Sequence, residues 1–135
     1  MAPQVRFATL GGETIATSDL RGKVVLLNFW ATWCASCIKE TPKMVETHRK
    51  YAPRGYETLA VAVRGDQPAA VATFAQQRAL PYRVALDASG EAAQRFGGVR
   101  ITPQSILIDR QGRIVARYVG EPDWDELHAT IDKLL

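Results

Sequence analysis

A chain of 135 residues with 47% hydrophobic and 23% charged side chains has the size and composition of one folded domain, residues 1–135, around one core. Its net charge of +3 is mild and its lysines and arginines are scattered, so it carries no nucleic-acid footprint. No apolar stretch nears the roughly 20 residues that cross a bilayer, and no leader opens the chain, which fits a cytosolic protein and an exported domain lacking its leader equally.

Residues 4–8 and 14–17 flank Gly11-Gly12 and predict a small N-terminal β-hairpin. A polar turn, Asp19-Leu20-Arg21-Gly22-Lys23, leads into a strand over 24–29. That strand is apolar at nearly every position, as expected when helices cover both faces of a sheet. A helix follows over 34–51, and Pro42 inside it should kink it or break its hydrogen-bond ladder. Residues 57–63 read as the next strand. Pro68 suits the first turn of a helix over 69–78, with Val71, Phe74 and Ala75 facing inward. A short strand over 82–86 and a short helix over 90–96 come next. Strands over 105–108 and Ile114–Val119 are joined by the turn Asp109-Arg110-Gln111-Gly112, and an amphipathic helix, Trp124–Leu134, closes the chain. The order β-α-β-α-β-α-β-β-α implies a mixed central sheet with helices on both faces.

The only two cysteines lie in Trp33-Cys34-Ala35-Ser36-Cys37, where the first core strand gives way to a helix. A closed zinc site needs four ligands, and the only other soft ligands, His48 and His128, lie far apart inside predicted helices. A purely structural disulfide over so short a loop would remove little unfolded-state entropy. A peroxidatic cysteine of the peroxiredoxin pattern has a threonine three residues before it, whereas Thr32 lies two before Cys34.

A redox dithiol accounts for more of the residues. At the helix start, the Cys34 sulfur faces unpaired N–H groups and the positive end of the helix dipole, and both favour thiolate. Cys37, one turn further in, is more buried. Cys34 then attacks a disulfide and Cys37 resolves the mixed disulfide. Trp33 shields the pair from water on one side, while Trp30 belongs to the core.

The run Asn28-Phe29-Trp30-Ala31-Thr32-Trp33-Cys34 to Cys37, followed by Lys39-Glu40-Thr41-Pro42, resembles the thioredoxin superfamily. Within it, the chain resembles the TlpA/ResA-like bacterial extracytoplasmic thiol–disulfide oxidoreductases. Leu20-Arg21-Gly22-Lys23, Gly98-Val99-Arg100-Ile101-Thr102-Pro103, Ile106-Leu107-Ile108-Asp109 and Gly112-Arg113-Ile114 extend the likeness in order over essentially the whole chain. The resemblance implies a thioredoxin-like α/β fold, with Cys34 as nucleophile and Cys37 as resolving thiol. It also implies a cis-proline at Pro103 that presents the backbone of Thr102 to substrate. A peptide can pair with that backbone as an added strand.

On spacing alone Glu40 reads as an exposed helix carboxylate. The resemblance instead implies a functional glutamate near the dithiol, able to raise the Cys37 pKa and accept its proton. Thioredoxin itself has a buried aspartate where this chain has Asn28, which cannot act as a base. His48 reads as surface. The inner dipeptide Ala35-Ser36 departs from relatives that have proline before the second cysteine, and Ser36 adds an N–H and a hydroxyl beside the sulfurs. That predicts a more oxidising potential.

The resemblance further implies cysteine-containing protein partners, among them apo-cytochrome c and copper-site assembly proteins. It implies a membrane thiol donor, a periplasmic or extracytoplasmic location, a monomer, and no cofactor or metal. A thiol-based metal-handling or binding module on the same fold, or a thiol peroxidase, is the alternative.

Overall fold

A computed structural model describes all 135 residues. Seven strands form one mixed sheet: β1 (Arg6–Thr9), β2 (Thr14–Ala16), β3 (Val24–Trp30), β4 (Tyr56–Ala62), β5 (Arg83–Leu86), β6 (Gln104–Ile108) and β7 (Ile114–Val119). They lie in the order β2-β1-β5-β4-β3-β6-β7. β4 runs parallel to both β3 and β5, whereas β6 is antiparallel to β3 and to β7. The N-terminal hairpin extends the sheet, because β1 also pairs antiparallel with β5.

Every residue of β3 is buried, which explains why all but Asn28 are apolar. Val24, Leu26 and Trp30 join the core on one face, while Val25, Leu27 and Phe29 join the core on the other. The first face is covered by α1 (Ala35–Tyr51), α2 (Pro68–Gln77) and α4 (Trp124–Leu134), which contribute Met44, Val71 and Leu127 among others. The second is covered by the short α3 (Glu91–Arg95), the adjoining Phe96 and the N-terminal residues Val5 and Leu20. The expectation of helices on both faces therefore holds, with the helices unequally shared.

Pro42 does not interrupt α1, which is continuous through it. Proline removes one N–H from the ladder, but its ring lies on the exposed side of the helix. Immediately before Pro42, the Thr41 hydroxyl donates to the Cys37 carbonyl, one turn back, at 2.9 Å. No helix is long and apolar enough to cross a membrane.

Candidate active site

The central strand β3 ends at Trp30, and after a four-residue loop α1 begins at Ala35. Cys34 is the N-cap of α1: its Sγ accepts the backbone N–H of Cys37 at 3.3 Å, in place of the usual hydroxyl or carboxylate oxygen. Cys34 and Cys37 are joined as a disulfide. Cys34 sits at the surface end of the pair, 9% exposed, and Cys37 is deeper at 2%.

The connecting loop is clamped from β4's side. Asp66 accepts the Thr32 backbone N–H at 2.8 Å through one carboxylate oxygen and the Thr32 hydroxyl at 2.7 Å through the other. Next to Thr32 in the chain, Trp33 is 67% exposed. Trp30, by contrast, is core, packed against Phe74.

Opposite Cys34 lies the segment before β6. The Thr102–Pro103 bond is cis, and the Thr102 carbonyl oxygen lies 3.4 Å from Cys34 Sγ, where it accepts from the thiol of the reduced form. The Ser36 hydroxyl is 3.6 Å from the same sulfur. Ala35 is exposed in the same turn and makes no polar side-chain contact. Two donors, the Cys37 N–H and the Ser36 hydroxyl, thus favour thiolate at Cys34, while the Thr102 carbonyl favours the thiol.

Glu40 is 1% exposed, so its reading as a surface carboxylate fails and it is an interior acid. It lines a narrow crevice with Cys37, Trp30 and Tyr82 that has room for about one water. Asn28 Nδ2 donates to Glu40 Oε1 of α1 at 2.9 Å and to Oγ of Ser105, its direct partner across β3 and β6, at 2.9 Å. Glu40 Oε2 and Trp30 Nε1 are both buried with no hydrogen-bond partner in the chain. Burial is the main cause that pushes the Glu40 pKa up to about 7, with the nearby Glu121 charge adding to it. The Asn28 hydrogen bond opposes both. A carboxyl poised near neutrality in the crevice of Cys37 can take up and return one proton.

Several contributors escape a reading by sequence. Asn28 was visible as the one polar residue in an apolar strand, but its bond to Glu40 joins residues on different elements. Ser105 and Asp66 carried no signal at all. His48 is not a surface residue: it is half-buried, its Nδ1 lies 3.0 Å from the Thr58 hydroxyl, and its ring packs edge-on to Tyr82.

A family model described as Redoxin matches residues 1–135. The thiol–disulfide oxidoreductase ResA of Bacillus anthracis is 38% identical over 133 residues, covering 98% of this chain and 76% of that protein. Among solved structures, a candidate thioredoxin from Neisseria meningitidis superposes with a TM-score of 0.92 at 38% identity, covering 98% of this chain and 88% of the other. The exposed lipoprotein thioredoxin Etrx1 of Streptococcus pneumoniae gives 0.84 at 27% identity, covering 98% of this chain and all of the other.

Proposed function

The chain belongs to the redoxin family and is a thiol–disulfide oxidoreductase with a thioredoxin-like fold; from that premise we propose that Cys34–Cys37 is its redox couple and that it serves chiefly as a reductant of partner-protein disulfides. The observation that carries the reading is the asymmetry of the pair. Cys34 sits at the surface between the start of α1 and the Thr102 carbonyl, and Cys37 is buried in the crevice of Glu40.

In the reducing direction the Cys34 thiolate attacks one sulfur of a partner disulfide. A mixed disulfide forms and the partner's first thiolate leaves. Glu40 takes the Cys37 proton as Cys37 attacks Cys34 Sγ, which closes the disulfide and releases the second partner thiolate. Two electrons pass to the partner, and its two thiolates take up one proton by way of Glu40 and one from solvent. Trp33, Thr102 and Pro103 form the docking edge for its cysteine segment, and Ala35 and Ser36 tune the potential.

The finer reading is of extracytoplasmic work, in the periplasm or at an outer face. There the protein acts as a monomer in protein, cytochrome c or copper-site maturation, with electrons from a membrane thiol donor. Its support is the likeness to ResA proteins and to an exposed lipoprotein thioredoxin.

The test is a trap. Cys37→Ser should accumulate mixed disulfides through Cys34 with cysteine-containing proteins of the native host, resolved by diagonal gels and identified by mass spectrometry. Recovery of Cys34 only as a free thiol would refute the couple; partners confined to cytosolic proteins would refute the location.

A further inference from the structure

Beside the dithiol runs an open groove of about 520 Å³. Trp33 and Thr102 form the end nearest Cys34. Its walls carry Arg64, in the loop after β4, and Arg100, in the segment before β6. Both arginines are exposed, and neither forms a hydrogen bond or ion pair with any group of the chain.

No carboxylate lines the groove. The acids around it are committed elsewhere: Asp66 clamps Thr32, Asp87 accepts the N–H groups of Ala92 and Ala93, and Glu91 pairs with Arg95. The Arg64 stem runs along Gly90, where an added Cβ would lie 3.2 Å from Arg64 Cδ, and both residues line the groove.

The backbone of residues 99–102 supplies the second observation. Apart from the Thr102 carbonyl at Cys34, it makes no hydrogen bond within the chain. A substrate segment paired along it places its cysteine opposite Thr102. The residue two positions away then falls opposite Arg100, because strand side chains repeat every second residue.

We propose that this groove selects cysteine-containing protein segments carrying a carboxylate two or three residues from the reacting cysteine, with Arg64 and Arg100 as the specificity-determining residues. The inference rests on the thiol–disulfide reading above. Exposed ion pairs of this kind act mainly on encounter rate and on discrimination between partners.

The experiment uses the reduced full chain and three peptides identical except for Asp, Ser or Lys two residues from a single cysteine. Each cysteine is blocked as the mixed disulfide with 2-mercaptoethanol. Reduction oxidises Cys34 and Cys37 to the disulfide and releases the peptide thiol and 2-mercaptoethanol. The acidic peptide should react roughly tenfold faster than the basic one at low ionic strength, as two exposed ion pairs permit. The ratio should fall below about twofold in about 0.5 M sodium chloride, where such pairs are screened. It should fall likewise in Arg64→Ala/Arg100→Ala and invert in Arg64→Glu/Arg100→Glu, with folding checked by circular dichroism.

Acidic and basic peptides reduced at rates within about twofold by the wild type at low salt would overturn the inference and leave the exchange chemistry standing. Charge dependence seen only with glutathione disulfide would overturn it too, in favour of a small anionic thiol. Failure to reduce even uncharged bis(2-hydroxyethyl) disulfide would instead overturn the dithiol reading, and this inference with it.

Discussion

Glu40 sits where burial and a single hydrogen bond oppose one another, and burial prevails. With its pKa near 7, the carboxyl exchanges its proton at neutral pH, as a base for Cys37 requires. Glu40→Gln keeps the size and an acceptor for Asn28 but cannot take a proton. It should slow resolution of the mixed disulfide by roughly 100-fold, the scale of general-base catalysis, and leave the first attack by Cys34 within a few-fold. Rapid-quench single turnovers separate the two steps, and equal slowing of both would remove Glu40 from the proton-transfer role. Ser36 argues at the same scale. Its hydroxyl lies 3.6 Å from Cys34 Sγ and stabilises thiolate, so it favours the reduced form. Ser36→Pro should make the potential about 20–40 mV more negative, the equivalent of one modest hydrogen bond. A glutathione titration reads this directly; an unchanged or higher potential in the variant would contradict it.

Among elements, the junction of β3 and α1 is the one under closest control. β3 is pinned on both sides by β4 and β6, and α1 is anchored by Met44 and Tyr51 in the core. Between them the four-residue loop relies on Asp66, which binds the Thr32 backbone and hydroxyl together. Asp66→Ala leaves a partly buried N–H unpaired and should cost about 1–3 kcal/mol. A loosened loop also misplaces Cys34 against Thr102. The variant should therefore show both a lower urea midpoint and faster amide exchange at residues 31–34, and unchanged exchange there would show that the clamp is dispensable. Pro42 belongs to this scale as well. The composition of the helix announces a break, but packing of the buried face on the sheet outweighs one missing ladder bond.

At the scale of the whole molecule, ionisation couples the site to stability. Glu40 binds its proton more tightly in the folded chain than in the unfolded one, so the folded state carries the extra proton between about pH 4.5 and 7. Stability from this group is therefore present below pH 4.5 and falls as pH rises through 7, by roughly 3 kcal/mol in all. His48 and His128 act oppositely. Burial lowers both pKa values, so the unfolded chain takes up their protons first as pH falls through the unfolded value of 6.5, and stability is lost there. The Glu40→Gln protein lacks the first contribution alone. Its stability relative to the wild type should rise between pH 5 and pH 8 by up to about 3 kcal/mol in urea melts, and a gap independent of pH would show that Glu40 is not desolvated as described.

The sequence by itself determined the alternation of elements, the place of the dithiol at a strand-to-helix junction and the family. These follow from local pattern: β3 is apolar at nearly every position because both faces are covered, and Cys34 precedes the helix by simple spacing. Resemblance carried Pro103 and Glu40 to their positions without giving their surroundings. Only the tertiary structure decided that Glu40 is interior, that Asn28 bonds it and Ser105 together, that Trp33 stands in solvent while His48 is half-buried, and that Arg64 and Arg100 line one groove. The physical reason is range. Periodicity and spacing report neighbours within a turn or two of one element, whereas desolvation and charge depend on residues brought together from β3, α1, β6 and the loops between them.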